Sequence, residues 1–241
     1  MFKGRSEEEE LMDDLQLSNE DLRRNLDELE TINSWLGGYK VVLHALEKLL
    51  PELRKLNPPV TLADVGCGGG DILREIARWS GKRKLAMELT GVDANSFMLD
   101  YAEPKCRKFP QIRLQQHNIF SPEFQRQRFD ILTCSLFCHH FPDRELVKLL
   151  RQLYNQANVA VIINDLHRHP LAYYSIKGLT SLFSNSYLVK NDAPLSVLRA
   201  FRKPELEAIL AAAGITNYKL KWCWAFRWQL VLFKEFSGPN P

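Results

Sequence analysis

The densest chemistry-bearing stretch runs Asp64-Val65-Gly66-Cys67-Gly68-Gly69-Gly70-Asp71, with four glycines in five positions bracketed by two acids. Glycine lets a backbone turn tightly and approach a ligand that a Cβ would hold off. Apolar residues lead in from Val60 as a buried strand would, and a helical pattern starts at Ile72. Strand, glycine turn and helix make a nucleotide-type cofactor site, the helix aiming its positive N-terminal end at the ligand. The dinucleotide spacing G-x-G-x-x-G is not met, because position 71 is Asp71, and the Gly-Lys-Ser/Thr ending of a P-loop is absent. A pyrophosphate would sit badly beside Asp64 and Asp71. An acid beside a glycine turn suits a cofactor that carries an amino group. Taken alone, the stretch is equally a tight strand-to-helix turn.

The next strand sharpens the reading. Leu85 to Val92 is mostly apolar and ends in Asp93, an acid at a strand tip that can accept both hydroxyls of a ribose. A third strand over 111–116 ends in His117-Asn118-Ile119-Phe120, where Asn118 offers an amide carbonyl and Ile119 or Phe120 an apolar face; an Asx turn is the competing reading. A fourth strand from Arg128 ends Ser135-Leu136-Phe137-Cys138-His139-His140, and a fifth, over Val159–Ile163, ends Asn164-Asp165-Leu166-His167. In open α/β sheets ligands lie beyond the carboxyl ends of the strands. His139, His140 and His167 are therefore the candidates for a base acting near neutral pH, with Asp165 to orient one of them or to bind an acceptor hydroxyl. One of the two adjacent histidines is expected to be a packing residue. Cys134, Cys138, His139 and His140 make a poor zinc pattern without a second cluster, so no metal is expected.

Elements must hold these tips in place. Residues 1–10 are charged and predict a solvated start. Apolar residues at helical spacing then run from Leu11 to Leu36, with a break and new N-cap expected at Ser18-Asn19-Glu20-Asp21. Gly37-Gly38 reads as a helix–helix turn, or as a place where backbone passes the cofactor. A second helix covers Tyr39 to Leu56, ended by Asn57-Pro58-Pro59. After Asp93 a helix over 95–108 is expected to break or bend at Pro104. Beyond the fifth strand the αβ rhythm lapses: an aromatic-rich helix over 171–183 and a short one from Leu195 to Phe201 form a lid-like insertion. Most of its aromatics are expected to seal it against the core. Lys203 to Ala213 forms the last helix, stopped by Gly214. Two strands, over 215–224 and 226–233, finish the sheet, with Trp222, Trp224, Phe226 and Trp228 expected as core and sheet face.

The chain has 241 residues, 45% of them hydrophobic and 25% charged, enough for one α/β core plus a small cap. A net charge of +3 gives no electrostatic case for nucleic acid. No apolar run reaches spanning length, the acidic start does not read as a signal peptide, and five scattered cysteines suit reduced thiols in a cytoplasm.

Asp64-x-Gly66-x-Gly68-x-Gly70, Asp93, and Phe129-Asp130 entering an apolar run resemble, in order, motifs I, II and IV of the class I S-adenosylmethionine (SAM)-dependent methyltransferases. The resemblance implies SAM as cofactor, held by Asp64, Gly66, Cys67, Gly68, Gly70, Asp93, Ala94, Asn118, Ile119 and Ser135. It implies a Rossmann-like, seven-stranded, mostly parallel sheet over 59–236, with an N-terminal helical cap over 1–58, a helical lid over about 170–203 and a tail over 237–241. Asn118 stands where the family more often has Asp. The Asn/Asp-Pro-Pro-Tyr/Phe motif of amide- and adenine-directed members is missing after the fourth strand. His139-His140-Phe141-x-Asp143 is similar instead to the small-molecule branch, including quinone-biosynthesis methyltransferases. Ile32-Asn33-x-Trp35-Leu36-Gly37-Gly38, Asn164-Asp165-Leu166-His167-Arg168 and the run Asn191 to Phe201 resemble bacterial methyltransferases found beside type III polyketide synthases. That implies methyl transfer to the oxygen of a phenolic or lipid-like acceptor. Carbon methylation of a quinone or phenol ring is the alternative, ahead of a macromolecular methyltransferase or a SAM-binding protein without catalysis.

Overall fold

The computed structural model describes residues 2–14 and 20–234. The cap signal at Ser18-Asn19 and the tail over 237–241 lie outside the described residues.

Seven strands form one sheet in the order β3-β2-β1-β4-β5-β7-β6. They are β1 (Val60–Val65), β2 (Met87–Asp93), β3 (Ile112–Gln116), β4 (Phe129–Ser135), β5 (Ala157–Leu166), β6 (Tyr218–Cys223) and β7 (Arg227–Phe233). β1 to β5 are parallel, and β7 runs antiparallel between β5 and β6. The order reverses at β1, which has β2 on one side and β4 on the other. Such a switch point opens a crevice at the carboxyl edge, which is where the glycine loop lies.

Nine helices flank the sheet among the described residues: α1 (Glu20–Trp35), α2 (Gly38–Leu53), α3 (Asp71–Arg83), α4 (Ser96–Cys106), α5 (Pro122–Gln125), α6 (Asp143–Gln156), α7 (Pro170–Phe183), α8 (Tyr187–Arg199) and α9 (Lys203–Ala213). Alternation along the strands feeds two cores. Leu62, Ile131, Ala160 and Ile162 pack with α2 and α3 on one face. Ala63, Leu132, Val161 and Ile163 pack with α6 and α9 on the other. Side chains of successive strand residues point to opposite faces, so both faces of a central strand must be apolar. Val42, Leu46, Leu49 and Leu53 of α2 are buried against the sheet. α1 instead rests on α4 and α8 through Leu22, Leu26, Met98, Tyr101 and Leu188.

Several expectations are corrected. The start of the chain is packed: the Phe2 ring meets Tyr173 edge-on at 5.7 Å, Ser6 N donates to Leu198 O at 3.0 Å, and Glu10 is buried. α4 runs through Pro104 to Cys106, because a proline one turn from a helix end removes a single hydrogen bond there. α8 begins at Tyr187, not Leu195; the Ser186 hydroxyl caps it by accepting from Val189 N, and Pro194 is carried inside. α7 exposes Leu171, Tyr174, Leu182 and Phe183 instead of sealing them inward. Trp228 is buried, whereas Trp224 is 71% exposed and Trp222 43%.

Candidate active site

The carboxyl ends of β1, β2, β4 and β5 converge on one crevice. At the end of β1 the backbone turns through Gly66, Gly68 and Gly70, all at positive φ (69°, 48° and 67°). L side chains avoid this region, so the turn needs glycine. A Cβ on Gly66 would strike the Phe137 ring at 2.2 Å, whereas one on Gly68 would meet nothing within 4 Å. The loop is thus packed from below at Gly66 and open above Gly68. Arg74 of α3 braces it, donating to Gly69 O at 2.6 Å while pairing with Glu30 of α1 at 2.6 Å. Cys67 is buried, and its thiol is pushed well up by burial and by the Asp93 carboxylate, which leaves it inert.

Three acids ring the loop. Asp64 is 2% exposed and accepts from Thr133 Oγ1 at 2.6 Å. Burial, with Asp71 and Asp93 nearby, pushes its carboxyl up to about 7. Asp93 accepts from Gly68 N through Oδ2 and from Asn95 N through Oδ1, both at 3.0 Å. Each oxygen retains a lone pair for a sugar hydroxyl. Asp71 opens α3 and accepts from Asn33 Nδ2 at 3.4 Å. Ser135 Oγ and Asn33 Oδ1 are buried and lack a hydrogen-bond partner. An open cradle over glycine backbone, free acceptors on Asp93 and orphaned polar atoms fit a nucleoside cofactor with a charged tail, as SAM is.

The third strand's end is less accommodating. Asn118 Oδ1 accepts from Phe120 N at 2.9 Å, an Asx turn. Ile119 is buried in the core, so Phe120 is the apolar side chain left at the surface there. Its ring meets Phe141 edge-on at 6.0 Å, and Phe141 meets Phe137 at 5.1 Å. Ala94 follows Asp93 at the crevice and its carbonyl accepts from Gln116 Nε2 at 3.1 Å.

Beyond β4, Leu136 holds φ at 53° and donates its N–H to Asn164 O at 2.8 Å. This strained residue swings the chain into the short 3-10 turn Cys138–His140. His139 is 2% exposed, with Nδ1 at 2.7 Å from Asp165 Oδ1 and Nε2 at 3.5 Å from Glu10 Oε1. Burial pulls its pKa down, but Asp165 and then Glu10 outweigh that and push it up to about 10. His140 pairs through Nδ1 with Asp13 Oδ1 at 2.5 Å. Arg199 of α8 binds the group together, donating to His139 O at 3.3 Å and His140 O at 2.5 Å and pairing with Asp13 at 2.7 Å. The Asp192 carboxylate accepts from Leu11 N at 2.9 Å and Met12 N at 3.0 Å, fixing the segment that delivers Glu10 and Asp13.

The structure therefore brings His139, His140 and Asp165 together but sets His167 apart. The His167 ring accepts from Trp222 Nε1 at 3.2 Å and lies against Trp228, His169 and Phe226. Glu10, His139 and His140 each place a potential ligand atom within 4.8 Å of the others, the one such group among the described residues. It differs from the Cys–His set weighed in the sequence, since Cys134 and Cys138 are core residues. Sequence reasoning missed Glu10, Asp13 and Arg199, which reach the histidines from segments distant in the chain, and Arg74, which reads as a surface residue of α3. The sole signal was apolar spacing that stayed helical through Leu11, close enough to the charged run to suggest packing.

Residues 62–159 match the family model described as a methyltransferase domain. The ubiquinone biosynthesis O-methyltransferase of Coxiella burnetii (strain RSA 493 / Nine Mile phase I) is 30% identical over 124 residues, 50% of each chain. The chain thus spans about half the length of the curated relatives it matches. Among solved structures, the plantazolicin methyltransferase BpumL superposes with a TM-score of 0.61 at 19% identity, covering 88% of this chain and 89% of that one. The DszA carbon methyltransferase superposes with a TM-score of 0.61 at 13% identity, over 81% of this chain and 53% of that one. At these identities the superpositions establish the fold. Over residues 62–159 the chain is similar to a methyltransferase domain, and its fold is the one these solved methyltransferases share.

Proposed function

We propose that this chain transfers a methyl group from SAM to an oxygen of a small phenolic or lipid-like acceptor. In this reading His139 takes the acceptor's proton and Asp165 orients the ring. The observation that carries it is the buried His139–Asp165 pair, 2.7 Å apart, at the carboxyl ends of β4 and β5 beside the glycine loop.

When bound, SAM supplies an electrophilic methyl group on a positively charged sulfur. Asp93, Gly68 and the crevice face of Ser135 would hold the nucleoside and Asp64 and Asp71 the cationic end. The chain's remaining tasks are to position the acceptor and to move one proton. With Nδ1–H donated to Asp165, the lone pair of His139 Nε2 faces outward, and the imidazolium formed after proton uptake is stabilised by the carboxylate. Glu10 occupies that outward side in the present arrangement, and the ring between two carboxylates is protonated at neutral pH. The acceptor hydroxyl must therefore take Glu10's place at Nε2, which makes residues 2–14 part of the acceptor site. The Phe120–Phe141–Phe137 row offers a flat apolar wall.

The name of the Coxiella relative favours oxygen as the methylated atom. Carbon methylation, which the name of the DszA neighbour attaches to the same fold, would use the same base. The chain is read as acting on small molecules, not nucleic acid, in the cytoplasm. No helix of the described residues is long and apolar enough to cross a membrane. The test is methyl transfer from isotope-labelled SAM to catechols, alkylresorcinols and hydroxyquinones, with the product's methylated atom assigned by NMR. Loss of about a hundredfold or more in turnover on His139→Ala at saturating SAM is expected. If His139→Ala and His140→Ala each leave turnover intact, the assignment of the base is wrong.

A further inference from the structure

Arg227 opens β7, opposite Leu166 of β5 and Cys223 of β6. It is 2% exposed, yet Nε and Nη1 have no hydrogen-bond partner. A buried guanidinium with two nitrogens left unpartnered is among the costlier arrangements a fold can carry. The surroundings gather further polar groups around it. A Cβ on Gly38 would lie 3.1 Å from Arg227 Cζ and 1.7 Å from Asn33 Oδ1, so glycine is required where these side chains meet α2. Asn164 Nδ2 donates to Gly38 O at 3.3 Å, while Asn164 Oδ1 and Asn33 Oδ1 are themselves buried and unpartnered. Asn33 in turn donates to Asp71 at the start of α3. A cation, two amide carbonyl groups and an acid thus converge at Gly38, on the edge of the glycine loop.

We propose that Arg227 is the carboxylate anchor of an amino-acid zwitterion bound at Gly38, with Asn33 and Asp71 receiving its ammonium group. The chemistry selects this ligand. A planar guanidinium pairs with a carboxylate, and a phosphate would be repelled by Asp71. The inference rests on the SAM reading above, since SAM's methionine tail is one source of such a group. The other source is a carboxylate on the methyl acceptor. Asp71 lies on the cofactor loop, so the observations favour the tail. Arg227 also feels Asp165 and Tyr39, and its pKa is pulled down to about 10 by burial, against those groups. It remains charged at neutral pH.

The experiment is titration calorimetry of the full chain with SAM and with decarboxylated SAM, which lacks only the carboxylate. Wild type is expected to bind SAM about tenfold or more tightly than the decarboxylated compound. In Arg227→Met that preference disappears, and affinity for decarboxylated SAM is little changed. Arg227→Lys keeps part of the preference. If Arg227→Met does not fold, as judged by its melting transition, the wild-type ligand pair and Arg227→Lys decide. An unchanged SAM affinity in Arg227→Met, with a raised KM for hydroxybenzoate but not for the matching phenol, assigns the carboxylate to the acceptor. Equal binding of both ligands by wild type, with no such KM effect, or equal losses for both in Arg227→Met, overturns the anchor. Failure of wild type to bind SAM at all overturns the function instead.

Discussion

His139 and Asp165 form a pair sealed from solvent, ring and carboxylate 2.7 Å apart with both side chains 2% exposed. Glu10 lies on the far side of the same ring, at 3.5 Å. One imidazole between two buried carboxylates fixes both the proton's position and the cluster's response to pH.

That response has a definite sign. The folded pKa of His139 is raised from 6.5 to about 10, so its contribution to stability is full below 6.5 and is lost as pH rises through about 10. Glu10 and Asp165 are lowered from 4.5 and 3.8, burial opposing and His139 driving the shift. Their contributions are present above the ordinary carboxylate range and lost as pH falls through their folded values. The cluster stabilises the fold most between about 4.5 and 6.5. Asp165→Asn should lower the His139 pKa, so that its contribution is smaller and its loss is complete at lower pH, read by NMR titration of the ring, and should cut turnover about a hundredfold. An unshifted ring titration would show that the pair is not coupled in solution.

Gly66 and Gly68 separate packing from ligand approach. Gly66→Ala combines positive φ with a Cβ 2.2 Å from the Phe137 ring, so a loss on the order of 3 kcal/mol in folding stability is expected. Gly68→Ala meets open space, and only its backbone strain of about 1–2 kcal/mol applies. Its protein should fold, yet bind S-adenosylhomocysteine weakly by calorimetry. Tight binding by Gly68→Ala would place the cofactor away from the loop.

Asp64 gives a second pH signature. Its folded pKa, raised from 3.8 to about 7 chiefly by burial, means that folding favours the protonated acid. Stability from this group is full below 3.8 and is lost as pH rises through about 7, at most on the order of 4 kcal/mol. Asp64→Asn keeps a neutral partner for Thr133 and removes that dependence. Melting curves without ligand should show the variant gaining on wild type from pH 4 to pH 8. A gap that stays constant with pH would mean that Asp64 titrates normally.

Much of this was legible in the sequence because it is local. Asp64 to Asp71 declares its turn through glycine, and β1, β2, β4 and β5 declare themselves as apolar runs ending in polar residues. What the sequence concealed depends on distance along the chain. Glu10 and Arg199 meet at His139 from opposite ends of the molecule, and in their own segments each reads as a solvated charge. Arg227 sits in an aromatic run, where a single arginine reads as an outward-facing strand residue. Pro104 reads as a break, but it lies in the last turn of α4, which runs on to Cys106. Ser186, a better cap, set the true start of α8.

Glu10 is the residue through which the N-terminal segment reaches the ring of His139, the base in the proposed reading. Its carboxylate is held below the ordinary range, burial opposing and His139 leading the stabilisation, and Ser196 Oγ donates to its other oxygen at 2.8 Å. Glu10→Gln keeps the shape and removes the charge, while Asp165 still holds the ring through Nδ1. The His139 pKa should fall toward neutrality, since one of its two raising carboxylates is gone. The acid limb of the kcat/KM profile then moves to lower pH, and turnover near pH 7 rises if ring deprotonation limits the wild type. The fold should tolerate the change, because Glu10 belongs to neither sheet-packed core. A profile that does not move, together with an unchanged ring titration, would leave Glu10 as a tether of residues 2–14 and not a regulator of the base.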